Sequence, residues 1–499
     1  MATAVLSNVP ATITLCESIT GWTGDTFVLD SDIKVQGGNS VSCAMTNNGT
    51  NTIAYATSFA ATNQHIRIWV NLTFVSNIDV IANDGIQISV VSGAGTALYT
   101  VGGRDTYGGG WKQFVIYTGN TPTSGSTPSG TCTSVGLQVN TTSKPRNQPA
   151  NCYVDAIYYG DGFTVTGGTS GDEIDWSHVA ALDAIEAYGV VTRLDDVYFL
   201  AGDVTIGSGA TATWFKSGQK VQFKDLDVSS TLYSVSFAGS GCNVDISGGS
   251  YGAAGTQNYV FDASDVNISF TMQGPQIANA GLISFANGQS ISNTVFDSCD
   301  QVDPSTSSFD RNTITNYVGT AGAVLFPSDS TNFTNCNFIN NNNSIEYDAT
   351  SDATTPTLFG HTFDDVAGKY DINNTSGGAI TLVISGGGNA NSFNPGGSMV
   401  TFSNPKSFKF TVSPSITGYE WRIYSVTALG SLDGAVELAG QESATVDNQT
   451  YNYTYSADTP IAVQIISQPD EDYEEAVRYY NLLATNQDVN IGLIEDKNN

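Results

Sequence analysis

The chain has 499 residues, 52 of them glycine, and only 13% are charged, against about 25% in an ordinary globular protein. Acidic residues outnumber basic ones 47 to 17, for a net charge of −30, and a field of that sign repels phosphate backbones and argues against nucleic-acid binding. No run of residues approaches the roughly 20 apolar positions of a membrane-spanning helix, so no membrane insertion is expected.

The first ten residues, Met1–Pro10, carry neither the basic nor the apolar stretch of a secretory signal. The expectation is a protein made in the cytoplasm and used outside it. A leader trimmed from the chain would read the same way.

Residues 1–168 read as one β-domain. Alternating apolar runs stand at Ile66–Val70, Ile86–Val91, Phe114–Tyr117 and Val135–Val139, and the turn-rich stretch Thr118–Gly130 separates two of them. Short alternating runs with such punctuation predict a sandwich of antiparallel sheets. Three segments then follow in order: Cys16–Trp22, Gly108–Phe114 and Tyr153–Gly160. Their order resembles the jelly rolls of carbohydrate-binding modules. Aromatic rings able to stack on sugar faces are Trp111, Tyr107, Tyr158 and Trp69, with Trp69 expected in the core because it sits in an alternating strand. The resemblance further implies a structural calcium held by an early Glu and a last-strand Asp. Glu17 and Asp155 match those places, and oxygen ligands with negative charge suit that ion. No other cofactor is expected.

Residues 169–189 predict a helix. Ser170 and Glu173 form a capping box, Ile174, Ala181, Leu182, Ile185 and Tyr188 fall on one face, and Gly189 supplies the stop. The strand-like run Val197–Gly207 comes next. A helix before such strands resembles the entry of the right-handed parallel β-helices of pectate-lyase-like proteins and phage tailspikes, where the helix plugs the open end. An end left unplugged exposes apolar side chains and unpaired strand edges.

From 208 to 398 short apolar runs recur. Aromatics at Phe237, Phe261, Phe285 and Phe309 are 24 residues apart, and the next steps, to Phe326 and Tyr347, are 17 and 21. Such a period marks a solenoid whose coils bury their inward side chains on one another. Phe237, Phe261 and Phe285 are therefore predicted to share one interior column. A second strand series runs through Cys242–Ile246, Val266–Phe270, Ile291–Phe296 and Phe333–Phe338. Asn340–Asn343 and Gly386–Gly388 suit coil corners. The predicted boundaries are 169–400 for the capped parallel β-helix and 401–499 for an Ig-like sandwich. The latter shows alternation at Phe408, Phe410 and Val412, at Tyr451, Tyr453 and Tyr455, and at Ile461, Val463 and Ile465, and its acidic segment Pro469–Glu475 suits a short helix. The fold class is all-β throughout.

Parallel β-helices that cleave polysaccharides use paired carboxylates on the face of the rod. Catalytic candidates are Asp297, Asp300 and Glu346, with Asp303 and Asp310 nearby. Asp is also the commonest turn former. Arg311 is the only Arg of the coils, while Lys216, Lys220 and Lys224 lie at their start and Lys369 near their end. His65, His178 and His361 are too far apart in sequence for a zinc motif. The residues favour a non-catalytic protein over an enzyme. Of the seven cysteines, reduced and buried thiols are expected, with Cys16–Cys43 or Cys132–Cys152 the bridges to consider.

Jelly roll, capped β-helix and Ig-like end domain in that order resemble phage tailspikes and head fibres. That resemblance implies a structural protein of the particle: a spike, fibre or capsid decoration on the virion surface. Its implied partners are two further copies in a homotrimer, other capsid or tail proteins, and host-surface polysaccharide. The alternatives are a tailspike glycan depolymerase and a secreted bacterial carbohydrate-active protein.

Overall fold

The computed structural model describes residues 4–495, apart from 47, 74, 143–149, 168–172, 208–213, 216–217, 225–232, 254–258, 355, 365–366, 456, 468–472 and 484. It is almost wholly β, with one α-helix among the described residues. The chain forms two compact units: Met1–Ser308 with Thr315–Val318, and Phe309–Ile314 with Gly319–Asn499.

The first unit begins with two antiparallel sheets. One has the order Trp111–Tyr117, His65–Leu72, Ala150–Tyr159, Ser40–Met45, Phe27–Asp30, with Ala11–Thr14 also on Ala150–Tyr159. The other runs Trp22–Gly24, Thr50–Ala60, Thr131–Asn140, Ile86–Ser92, Gly95–Gly102. Strand side chains alternate between faces, so Ile66, Ile68, Val70 and Leu72 point one way and pack with Ile86, Ile88, Val90 and Leu137 in a common core. His65, Arg67, Trp69 and Asn71 point the other way. That second face is covered as well, because His65 and Arg67 are buried. The cover comes from the chain beyond the helix start. Trp69 Nε1 donates to Ala187 O at 2.7 Å, Gln113 Nε2 to Tyr188 O at 2.5 Å and Tyr158 Oη to Glu186 O at 2.5 Å.

The helix is Trp176–Glu186, shorter than predicted. Ser170 lies outside the described residues. The N-cap is Asp175, whose carboxylate accepts from the backbone N–H of Ser177 and His178, while the His178 ring faces back to the Asp175 N–H. This satisfies N–H groups that a helix start leaves open. The buried side is Trp176, Val179, Ala180 and Asp183, not the predicted stripe, and Ile185 is 68% exposed. Two polar anchors set the rotation. Trp176 Nε1 donates to Tyr251 Oη at 3.1 Å, and Asp183 accepts from Gly189 N at 3.0 Å and Val191 N at 2.6 Å.

The coils of the first unit contribute to three parallel sheets, where two strand positions per coil were predicted. One holds Gly162–Thr166, Asp203–Ile206, Tyr233–Phe237, Tyr259–Ala263, Ala280–Phe285 and Val302–Asp303. A second holds Val197–Leu200, Lys220–Phe223, Ser250–Ala253, Gln276–Ala278 and Val295–Asp297, and a third Asn243–Ser247, Ser269–Gln273 and Ser290–Ser292. The predicted aromatic column forms, with an offset in register. Phe237, Phe261 and Phe285 are all buried and their rings touch, at 5.6 Å between the first two and 6.5 Å between the last two. They do not share a rung position. Phe261 pairs with Val235 and Ile283, while Phe285 pairs with Ala263. The coils differ in length, so constant spacing in sequence does not give constant register.

In the second unit, Val324–Leu325, Asn343–Tyr347 and Tyr370–Asn374 pair in parallel. Phe309 is not in that sheet. It pairs with Phe333, beside Thr357–Phe359, Ile380–Ser385 and Val400–Ser403. The irregular steps after Phe309 follow from this change of face. Two further sheets surround a core of Phe408, Phe410, Val412, Trp421, Ile423, Val463 and Ile465. Tyr451, Tyr453 and Tyr455 are only half-buried. No helix forms at 473–475, and 469–472 lie outside the described residues.

Candidate functional site

Two of the three rings chosen for sugar stacking are closed to a ligand. Tyr107 is 1% exposed, and its hydroxyl accepts from Leu72 N at 2.9 Å and meets the carbonyls of Val70 and Gly110. Tyr158 is 1% exposed beneath the end of the helix, its hydroxyl between Glu186 O and Gln36 Oε1. A jelly-roll sheet used as a docking face has no free centre, and nothing local in the sequence announces that use. Trp111 is half-buried on the edge strand of the sheet.

Trp69, expected in the core, is half-buried instead. Directly opposite it on the neighbouring strands stand Gln113 and Asp155. The indole N–H is spent on Ala187 O, which fixes the ring. The ring lines a recess of about 390 Å³ together with Val35, Ala180, Ala184, Thr192 and Arg193. Aromatic and small apolar walls with a few polar groups are the usual lining of a small-ligand site.

Asp155 and Glu17 lie close enough to interact. A β-bulge at Ala156, with φ +44°, breaks the register with His65–Leu72 immediately after Asp155. Its Oδ2 accepts from Val35 N at 2.6 Å and Gln36 N at 3.0 Å. Its Oδ1 is buried with no hydrogen-bond donor. Glu17 accepts from Gly38 N at 2.5 Å and from Asn39 Nδ2 at 3.0 Å. Burial, and then the Glu17 charge, hold the Asp155 carboxyl above its ordinary value, against the pull of the Gln36, Val35 and Ala156 amides. A buried carboxylate oxygen without a donor beside a second carboxylate fits the oxygen-only chemistry of calcium. No cluster of three or more His, Cys, Asp or Glu exists among the described residues, so carbonyls or water would complete such a site.

The candidate acids are occupied by local hydrogen bonds. Asp297 accepts from Ser298 Oγ and Asn316 Nδ2, Asp300 from Gln301 N, and Asp303 from Ser305 N. In the second unit, Asp310 accepts from Thr334 and Asn335 and pairs with Arg311, and Glu346 accepts from Gly322 N and Thr375 Oγ1. Burial raises the Asp310 pKa, but the Asn335 and Thr334 hydrogen bonds and Arg311 outweigh it, so the group stays more acidic than usual. His361 is fully buried, accepts from Cys336 N, and burial lowers its pKa to about 4. All seven cysteines are free and buried. Neither bridge considered from sequence forms, and the thiol opposite Cys152 is Cys43.

A second recess, of about 440 Å³, opens where Gly95–Gly102 and Trp111–Tyr117 meet the first coils, with Gln113, Tyr117, Lys224 and Tyr233 on its wall. It unites residues more than a hundred positions apart, so sequence reading missed it. The one available signal was Lys224, a lysine in a chain with only 17 basic residues.

No protein-family model matches the chain, and neither does any curated protein. Among solved structures, the CBM22-1 xylan-binding domain from Paenibacillus barcinonensis Xyn10C is similar at 14% identity, over 31% of this chain and 96% of that one, with a TM-score of 0.20. TmCBM61 in complex with β-1,4-galactotriose is 12% identical over 28% and 89%, with a TM-score of 0.16. The catalytic domain of a GH87 α-1,3-glucanase in complex with nigerose is 9% identical over 79% and 98%, with a TM-score of 0.17. Likenesses this distant do not carry function.

Proposed function

We propose that the chain is a glycan-binding structural protein of the phage spike, head-fibre or capsid-decoration kind, acting without catalysis. The observation that supports glycan binding is the Trp69 ring, held by Ala187 O and set in a half-open recess beside Arg193 and Thr192. A ring fixed in advance loses little freedom when a sugar face settles on it. Retention of the purified chain on host-surface polysaccharide should fall at least tenfold for Trp69→Ala, about 1.4 kcal/mol, and largely survive in Trp69→Phe. Equal retention of the alanine variant would remove the recess from the reading, and release of new reducing ends would turn the protein into a depolymerase.

The coil strands and the turn-bound acids support a stiff, non-catalytic role. On the particle we place three copies side by side, which buries outward apolar side chains such as Val266, 71% exposed in one copy. Electron microscopy of intact particles should show threefold density of this size at the virion surface. Particles that lack the chain contradict the viral assignment.

A calcium ion held by Asp155 Oδ1 and Glu17 belongs to the same reading. It would neutralise a buried charge and tie the loop Val35–Asn39 to the last strand of the sheet. Calcium at millimolar concentration should raise the melting temperature of the wild type and leave Asp155→Asn unmoved. A wild-type shift no larger than the one magnesium gives counts against the site.

A further inference from the structure

Buried polar groups in folded proteins are nearly always paired. Ten buried side-chain atoms lack a partner among the described residues, and four of them gather around the second recess: Arg67 Nη1, His65 Nε2, Gln113 Oε1 and Tyr233 Oη. The gathering is physical. The His65 and Tyr233 rings are 5.6 Å apart, Arg67 acts electrostatically on Tyr233, and Gln113 and Tyr233 both line the recess. Tyr233 is 2% exposed, so its hydroxyl has no bulk water to turn to.

Lys224 stands on the same wall. Its backbone N–H is fixed by Leu200 O at 2.8 Å, while its ammonium has no hydrogen bond or ion pair among the described residues. Burial, with Arg67 and Lys112 nearby, makes the lysine less basic than usual, and only Asp183 pulls the other way. Arg67 is better provided for. It donates to the carbonyls of Gly160 and Asp161, and Asp161, Asp183 and Asp203 act on it. Lys224 is therefore the cation on this wall whose charged end makes no direct hydrogen bond or ion pair among the described residues. The lining also includes the polar Thr100, Asn120, Thr121 and Thr123, beside apolar residues such as Phe114 and Ala201.

We propose that this recess binds the carboxylate-bearing sugar of an acidic polysaccharide, with Lys224 meeting the carboxylate and Tyr233 donating its hydroxyl hydrogen to it. The inference rests on the glycan-binding reading and names a sugar class for a second subsite. About 440 Å³ lies within the range of small-ligand pockets, about 300–1,000 Å³. Hydrogen bonds to an ionised partner are the strong ones. The −30 net charge of the chain discourages casual anion binding, so a uronate that does bind must find a built cation.

The test is calorimetric or NMR titration of the full chain with D-galacturonate, D-galactose and inorganic phosphate. Galacturonate should bind at least tenfold more tightly than galactose. Lys224→Met should bring it down to the galactose level, and Tyr233→Phe, which removes one oxygen and keeps the ring, should weaken it several-fold with an unchanged melting temperature. The proposal is overturned if galactose binds equally well, if phosphate alone binds as tightly as the uronate, or if Tyr233→Phe is without effect in a folded chain. A chain that still holds host polysaccharide through Trp69 but ignores galacturonate sinks this inference alone. A chain that does neither sinks the glycan reading with it.

Discussion

Phe261→Ala is expected to destabilise the first unit by about 3–5 kcal/mol, the cost of truncating a fully buried aromatic ring. The ring is 0% exposed and packs against Phe237, Tyr251, Phe270 and Phe285 at centroid distances of 5.6, 5.3, 6.3 and 6.5 Å. These neighbours belong to the coils before and after it as well as to other faces of the interior. They are pinned by ladders of their own, so the hole cannot close by collapse. Coils in a solenoid stabilise only their neighbours, so the loss concentrates at one rung instead of being shared by the whole stack. Leu282, on the strand Ala280–Phe285, points outward and is 48% exposed. Leu282→Ala should cost less than about 1 kcal/mol, close to the usual surface range. Urea unfolding of the two variants checks the pair. Equal losses would mean that the interior of the coils is not the packed column described here.

The repeat of aromatics was legible because a solenoid buries similar side chains at similar intervals. Burial of Phe237, Phe261, Phe285, Phe326 and Tyr347 follows from it. The faces were not legible. Phe309 looks like the next member of the series, yet it pairs with Phe333, because strands of two or three residues are too short to carry a periodicity of their own. The helix misled for a different reason. Leu182, Ile185 and Tyr188 make the better apolar stripe, but Trp176, Val179 and Asp183 are the buried positions. An aspartate counts as an outside residue in any pattern, and here it faces inward because two backbone N–H groups beyond the helix end require an acceptor. The same blindness hid the recesses. Trp69 and Lys224 each look ordinary in sequence. Their setting comes from a sheet face that docks on the helix end and the first coils, a pairing that no local spacing encodes.

Asp183 should make the stability of the first unit fall as pH rises from about 4 to about 7. The carboxyl is 1% exposed. Burial is the largest influence on it and raises its pKa to about 6, against the opposing pull of the Val191 N–H, the Arg67 charge and the Gly189 N–H. A free Asp titrates near about 3.9. The folded chain therefore holds this proton more tightly than the unfolded chain does. The stabilisation is complete below the unfolded value and is lost as pH rises through the folded one, by about 3 kcal/mol for a shift of roughly two units. Carboxylates such as Asp265, Asp310 and Asp348, held more acidic than usual, have the opposite sign. Their contribution is lost only as pH falls through their depressed values, a lower window. Asp183→Asn keeps one acceptor oxygen and cannot ionise. The stability difference between wild type and variant, measured by urea at pH 4, 5, 6 and 7, should move by about 3 kcal/mol against the wild type across that range. A constant difference would place the Asp183 carboxylate in an environment able to carry its charge. In that case the amides of Gly189 and Val191, with Arg67 behind them, would outweigh burial, and the turn that fixes Ala187 and the Trp69 ring would be held by an ion instead of a neutral acid.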